Sequence, residues 1–139
     1  MNYTRILLAS LAAFVTYMVL GGLIFGTIPS LKQEFLKYPG VYRSQQGQIS
    51  HMPTGMAAMF LSMVVLAVLY SMIYKGGSGV TEGGIFGGLI GLYAIGSFVL
   101  HNYVNLNIGL RITIASAIAY FVEWTVVGIV IGLIYKPAR

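Results

Sequence analysis

The sequence predicts an all-α fold: an integral membrane four-helix bundle with a short interfacial amphipathic helix between the first and second spans. Three observations carry that prediction. Of 139 residues, 58% are hydrophobic and only 8% are charged, against roughly 25% charged in an ordinary soluble domain, so most of the surface cannot face water. The apolar residues fall into long blocks, each near the length of about 20 residues that a helix needs to cross the hydrocarbon core. The charges lie between those blocks rather than within them, with the exception of Glu123.

The chain reads as a single membrane domain, 1–139. The first span, 6–28, holds no charge. It exceeds the roughly 7–15 apolar residues of a signal-peptide core, and no small-residue cleavage site follows it. The second span, 53–74, begins with Pro53, which suits a first helical turn because its missing N–H has no partner there. Lys75, Gly76 and Gly77 then suit a helix end. The third, 83–101, is short and rich in glycine, which lowers helix propensity and barely covers the core. Thr81 is placed to cap it, with Glu82 at its positive end. The fourth, 112–135, is closed by Lys136 and Pro137.

The long connection between the first two spans carries its own pattern. Ser30 followed by Gln33 has capping-box spacing. Ile28, Leu31, Phe35 and Tyr38 recur at helical intervals, flanked by Lys32, Glu34 and Lys37. This predicts an interfacial helix over 31–38, stopped by Pro39 and Gly40, with 44–48 as polar loop.

The chain carries eight Lys and Arg against three acidic residues, a formal charge of +5. These cations stand singly beside apolar blocks, which points to lipid headgroups and away from nucleic acid. Four spans put both termini on one side, with Arg5, Lys75, Lys136 and Arg139. The other side holds Lys32, Lys37, Arg43 and Arg111, so the positive-inside rule gives a tie. A longer polar loop facing outward in a bacterial inner membrane would leave the termini cytoplasmic.

Glu123 is the residue with the most chemical content. A charge at mid-span costs roughly 2.5–3.5 kcal/mol on insertion scales. Thr113, Ser116, Tyr120 and Glu123 follow one another at three- and four-residue intervals and share one helical face, which must point into the bundle because lipid cannot satisfy it. Such a face can hold a proton relay or ion site, or a neutral Glu that fixes packing by hydrogen bonds between helices. Packing is the commoner use. Tyr93 and Ser97 on the third span are the expected partners at that depth.

Other features read mainly as structure. Gly83, Gly87 and Gly91, Gly128 and Gly132, and Gly22 and Gly26 recur at four-residue spacing, which lets helix backbones approach closely. No Gly-Lys-Ser/Thr ending accompanies them, so a phosphate loop is not expected. Met52, Met56, Met59 and Met63 form a stripe beside His51. Thioether and imidazole suit copper(I), but flexible packing is the ordinary use of such a stripe. His101, Asn102, Asn105 and Arg111 gather near the third loop, and a lone His there falls short of specifying a tetrapyrrole site. No cofactor or metal is therefore expected. The chain has no Cys, and its acidic residues are all Glu, so no Ser-His-Asp or Cys-based constellation can form. An enzyme is not expected.

The layout resembles that of small bacterial four-helix membrane proteins of unknown function. It starts with Met1-Asn2-Tyr3 and continues through Ala12-Ala13-Phe14 and a long first loop. A Gly-rich third helix, Asn102, Tyr120 and Gly128 complete it. The first span departs from that family, which ends it with a Trp-Tyr pair and a proline where this chain has 22–26 as Gly-Leu-Ile-Phe-Gly. The resemblance implies a fold and no activity. The expectation is a non-catalytic accessory or scaffold subunit, bound to other membrane subunits or to copies of itself. A small proton- or cation-coupled transporter or channel using Glu123 is the alternative. A pigment or haem carrier using His101 or His51 ranks third.

Overall fold

The computed structural model describes residues 1–136. Pro137 and Arg139, assigned above to a helix end and to the charge balance, lie outside the described residues. Four helices are long and apolar enough to cross a membrane, and they alternate in direction.

Helix α1, Tyr3–Thr27, starts at Asn2, whose side chain accepts a hydrogen bond from the Arg5 backbone N–H (3.1 Å). The Arg5 guanidinium donates to the Ile134 carbonyl (3.1 Å). That carbonyl, at the far end of the chain's last helix, also accepts from the Lys136 N–H (2.9 Å), and the Arg5 contact sets the two ends side by side. Helix α2, Pro29–Leu36, follows after the extended residue Ile28. Pro29 occupies its first turn and Ser30 lies inside it, so the expected Ser30 capping box does not form.

Helix α3, Gln45–Ile73, begins well before Pro53. The Ser44 hydroxyl accepts from the Gly47 N–H (3.2 Å) and nucleates a helix start within 44–48, the stretch expected as polar loop. Pro53 is thus internal, and its ring removes the bond to the Ile49 carbonyl. The turn after α3 uses Gly76 at φ +90°, a left-handed conformation open to glycine at little steric cost.

Helix α4, Gly79–Ala94, starts at Ser78, not Thr81. The Glu82 carboxylate reaches back to accept from the Gly77 N–H (3.0 Å). The helix continues through a π-helical turn, Ile95–Leu100, into α5, His101–Asn105, making one span of 27 residues. The third span is therefore not short. Helix α6, Leu110–Ile134, completes the bundle.

α6 is central. α4 lies against one flank, α1 against another, and α3 packs on α1. The α4–α6 contact is backbone on backbone. A Cβ at Gly79 would run into the Gly132 carbonyl, one at Gly83 into the Gly128 carbonyl, and one at Gly87 into the Trp124 carbonyl. At Gly91 it would meet Phe121 Cα at 3.2 Å. The glycine face of the third span and the pair on the fourth are partners, as their spacing implies. Gly22 and Gly26 on α1 meet nothing.

α1 presents Ile6, Ala9, Ser10 and Ala13 to the interior, where Met63, Ala67, Tyr70, Val127 and Ile131 are buried. Tyr70 joins three helices through ring contacts to Phe86 (5.4 Å) and Tyr135 (6.1 Å). Leu7, Leu11, Val15 and Val19 line the outer face of α1, and Leu61, Val65 and Leu69 that of α3. This outward apolar surface suits contact with lipid. The chain is a multi-pass membrane protein.

Candidate functional site

The polar stripe of α6 faces inward. Thr113, Ser116, Tyr120 and Glu123 line a cavity of about 330 Å³ on the Arg111 side of the bundle. Glu123 is 1% exposed, and neither carboxylate oxygen has a hydrogen-bond partner among the described residues. Thr113 spends its hydroxyl on the Gly109 carbonyl (3.0 Å). On the Arg5 side of Glu123 the bundle is solid, filled by Val127, Ile131, Met63 and Tyr70. The cavity therefore ends at the carboxyl.

The opposing wall comes from α1: Tyr17, Gly21 and Phe25 stand one helical turn apart and line it. Gly21 makes room for the carboxyl, since a Cβ there would sit 3.1 Å from Glu123 Oε1. Tyr17 stacks obliquely on Trp124, with ring centroids 5.2 Å apart. The signal for them on α1 was slight: Ser10, buried two turns earlier, shares a face with Tyr17.

Tyr93 and Ser97 are not the partners of Glu123. Tyr93 is 72% exposed, and Ser97 donates to its own helix at the Tyr93 carbonyl (2.7 Å). The reason is rotational. Packing Gly83, Gly87 and Gly91 onto α6 turns residue 93 away, toward an apolar groove between α3 and α4. The π-helical turn then shifts the phase of the helix, and Phe98, Val99 and Asn102 line the cavity instead.

The loop-side cluster disperses. Of His101, Asn102, Asn105 and Arg111, only Asn102 lines the cavity. Asn105 donates to the His101 carbonyl (2.9 Å), and the His101 side chain is exposed. The methionine stripe does not converge either: Met63 is buried in the core while Met52 and Met56 are exposed. His51 sets Nδ1 2.8 Å from the Gly47 carbonyl. Among the described residues, no group of three His, Asp or Glu side chains could hold a metal.

α2 covers the cavity mouth. Glu34, expected on a polar flank, is 5% exposed and pairs with Lys37 (2.5 Å) and Arg111 (3.4 Å). The Tyr38 hydroxyl accepts from the Gly109 N–H (3.0 Å), so α2 and the start of α6 are tied twice. Phe35 contacts Phe25 (5.7 Å) and Tyr42 (4.9 Å). These three rings line both the inner cavity and an outer one of about 620 Å³, which Lys32, Arg43 and Gln48 also line. Burial, with Tyr38 nearby, pushes the Tyr42 phenol above its usual range, so this ring is uncharged at ordinary pH.

The ties make a prediction. Arg111 is 75% exposed at its side chain, so Arg111→Gln should cost at most ~1 kcal/mol. Glu34→Ala removes both ion pairs and should loosen α2 more. Hydrogen exchange of the α2 amides is the measurement. It should rise by up to about fivefold for Arg111→Gln, the equivalent of ~1 kcal/mol, and further for Glu34→Ala, with α6 amides beyond Ser116 unchanged.

No family model, curated protein or solved structure matches this chain. Fold and site therefore define it only as a four-span membrane protein with a buried carboxyl at the end of a one-sided cavity.

Proposed function

We propose that this protein is a small proton-coupled transporter in which Glu123 takes up and releases the proton. The observation that carries the reading is the Glu123 carboxyl, buried at mid-span with both oxygens unpartnered among the described residues and set in a cavity. An ionisable side chain at that depth is expensive to keep. A packing role would offset that cost with hydrogen bonds between helices, and among the described residues Glu123 makes none. A cavity that reaches the carboxyl from one side and stops at packed Val127 and Ile131 suits one of two alternating states. With cytoplasmic termini in a bacterial inner membrane, that side faces outward.

The test is flux in liposomes containing the purified protein. An imposed pH gradient should dissipate faster with the native chain than in protein-free liposomes. Glu123→Gln should return it to the protein-free rate. Equal rates for the native chain and the variant would refute the reading.

The accessory-subunit reading retains one specific observation. A Cβ at Gly22 would meet nothing, and with Leu23 and Val19 exposed beside it this face of α1 could receive another membrane helix. Native mass in mild detergent separates the two: stoichiometric foreign subunits support the accessory role, and particles made only of this chain support transport.

A further inference from the structure

The inner cavity has a chemical character beyond its carboxyl. Its wall carries six aromatic rings: Tyr17, Phe25, Phe35, Tyr42, Phe98 and Tyr120. Among the described residues no Lys, Arg or His lines it; the titratable groups there are Glu123 and the phenols of Tyr17 and Tyr120 from the facing helices and Tyr42 from the cover. α4 and its continuation contribute Phe98, Val99 and Asn102, none of which titrates. The basic side chains nearby, Lys32 and Arg43, line the outer cavity, beyond Phe25, Phe35 and Tyr42.

Ring faces are negative and attract cations, most strongly where water is excluded. A buried carboxyl with no partner supplies the compensating charge. An anion would meet the carboxyl and the ring faces with no positive group among the described residues lining the cavity to hold it. A volume of about 330 Å³ falls at the small end of the range for organic ligand sites. The apolar groove between α3 and α4 shares Tyr17, Phe98 and Tyr120 with this cavity. Those three rings are all that separates the two, so displacing them would admit an apolar ligand from the bilayer without passing Lys32 and Arg43.

We propose that the inner cavity binds a lipophilic organic cation of the ammonium class, held between the aromatic wall and the Glu123 carboxylate. This deepens the transport reading and rests on it for the exchange of cation against proton. The balance is simple: the protonated carboxyl gives its proton to water, and the cation takes its place as counter-charge.

The probe is benzyltrimethylammonium, which cannot lose a proton, titrated calorimetrically into the full chain in detergent. Its uncharged carbon isostere and benzenesulfonate are the controls. The cation should bind and the controls should not. Affinity should weaken as pH falls, because proton and cation compete for one carboxylate. Glu123→Gln should weaken binding by about tenfold or more and remove the pH dependence. Phe25→Leu, which keeps the carboxyl, should weaken it by a smaller factor. The pH series on the native chain stands even if Glu123→Gln folds poorly. Equal binding of the uncharged isostere, or preferential binding of the sulfonate, would overturn the proposal. Absence of cation binding alongside Glu123-dependent proton flux would remove the ligand class and leave transport standing. Cation binding without Glu123-dependent flux would leave a binding site and remove transport.

Discussion

Gly83→Ala and Gly128→Ala are each expected to unseat α4 from α6 and to cost about 1–3 kcal/mol of bundle stability, the usual range for overpacking. Each new methyl would be driven into backbone: the Gly128 carbonyl for Gly83, and the Gly83 carbonyl and Gly87 Cα for Gly128. A flexible side chain could rotate aside, but a helix backbone moves only as a unit. Alanine also gains up to about 1 kcal/mol of helix propensity over glycine, which the clash must exceed. Gly22→Ala isolates that gain, because its methyl meets nothing. The two damaging substitutions act on one contact, so their costs should not add. Once either has separated the helices, the second finds space. Thermal unfolding in detergent of the two single variants, the double variant and Gly22→Ala measures all of this. Additive losses, or a loss in Gly22→Ala matching that of Gly83→Ala, would contradict the packing described.

Glu123→Gln is expected to abolish proton flux while leaving thermal stability equal to or above that of the native chain. Gln fills the same volume and carries no charge to desolvate. The carboxyl it replaces makes no hydrogen bond among the described residues, so none is lost. Its neighbour Gly21 leaves room for either side chain. A structural Glu would behave the opposite way, with stability falling and flux following it down. The separation of the two readouts is what distinguishes a working carboxyl from a packing one.

Much of this site was legible from spacing alone. Thr113, Ser116, Tyr120 and Glu123 share a face because a helix repeats every 3.6 residues, and the cavity lies on that face. The glycines at 83, 87 and 91 found Gly128 and Gly132 for the same reason. What spacing could not supply was the rotation of one helix about another. Tyr93 and Ser97 match Glu123 in depth, yet the glycine contact turns them outward, and a π-helical turn swings Val99 and Asn102 inward. Tyr17 and Gly21 continue the face of Ala9 and Ala13 at four-residue spacing, opposite the large apolar Leu7, Leu11, Val15 and Val19, but small residues on one face mark close packing and do not by themselves mark a cavity wall. Glu34 was misread as a flank because its partner Arg111 lies far along the chain. The early start of α3 was missed because Pro53 imitates a first turn, while Ser44 caps the helix more than a turn earlier.

Proton coupling as proposed requires that the cavity give access to Glu123 from one side of the membrane. The chain has no cysteine, so Ser116→Cys creates a single thiol on the cavity wall and Met63→Cys a single thiol in the packed core. Each is reconstituted in oriented vesicles and exposed to a charged, membrane-impermeant thiol reagent from either face. The cysteine at 116 should react from the Arg111 side and not from the Arg5 side, while the one at 63 stays inert to both. Modification at 116 from the Arg5 side alone, or inertness there equal to that at 63, would contradict the account.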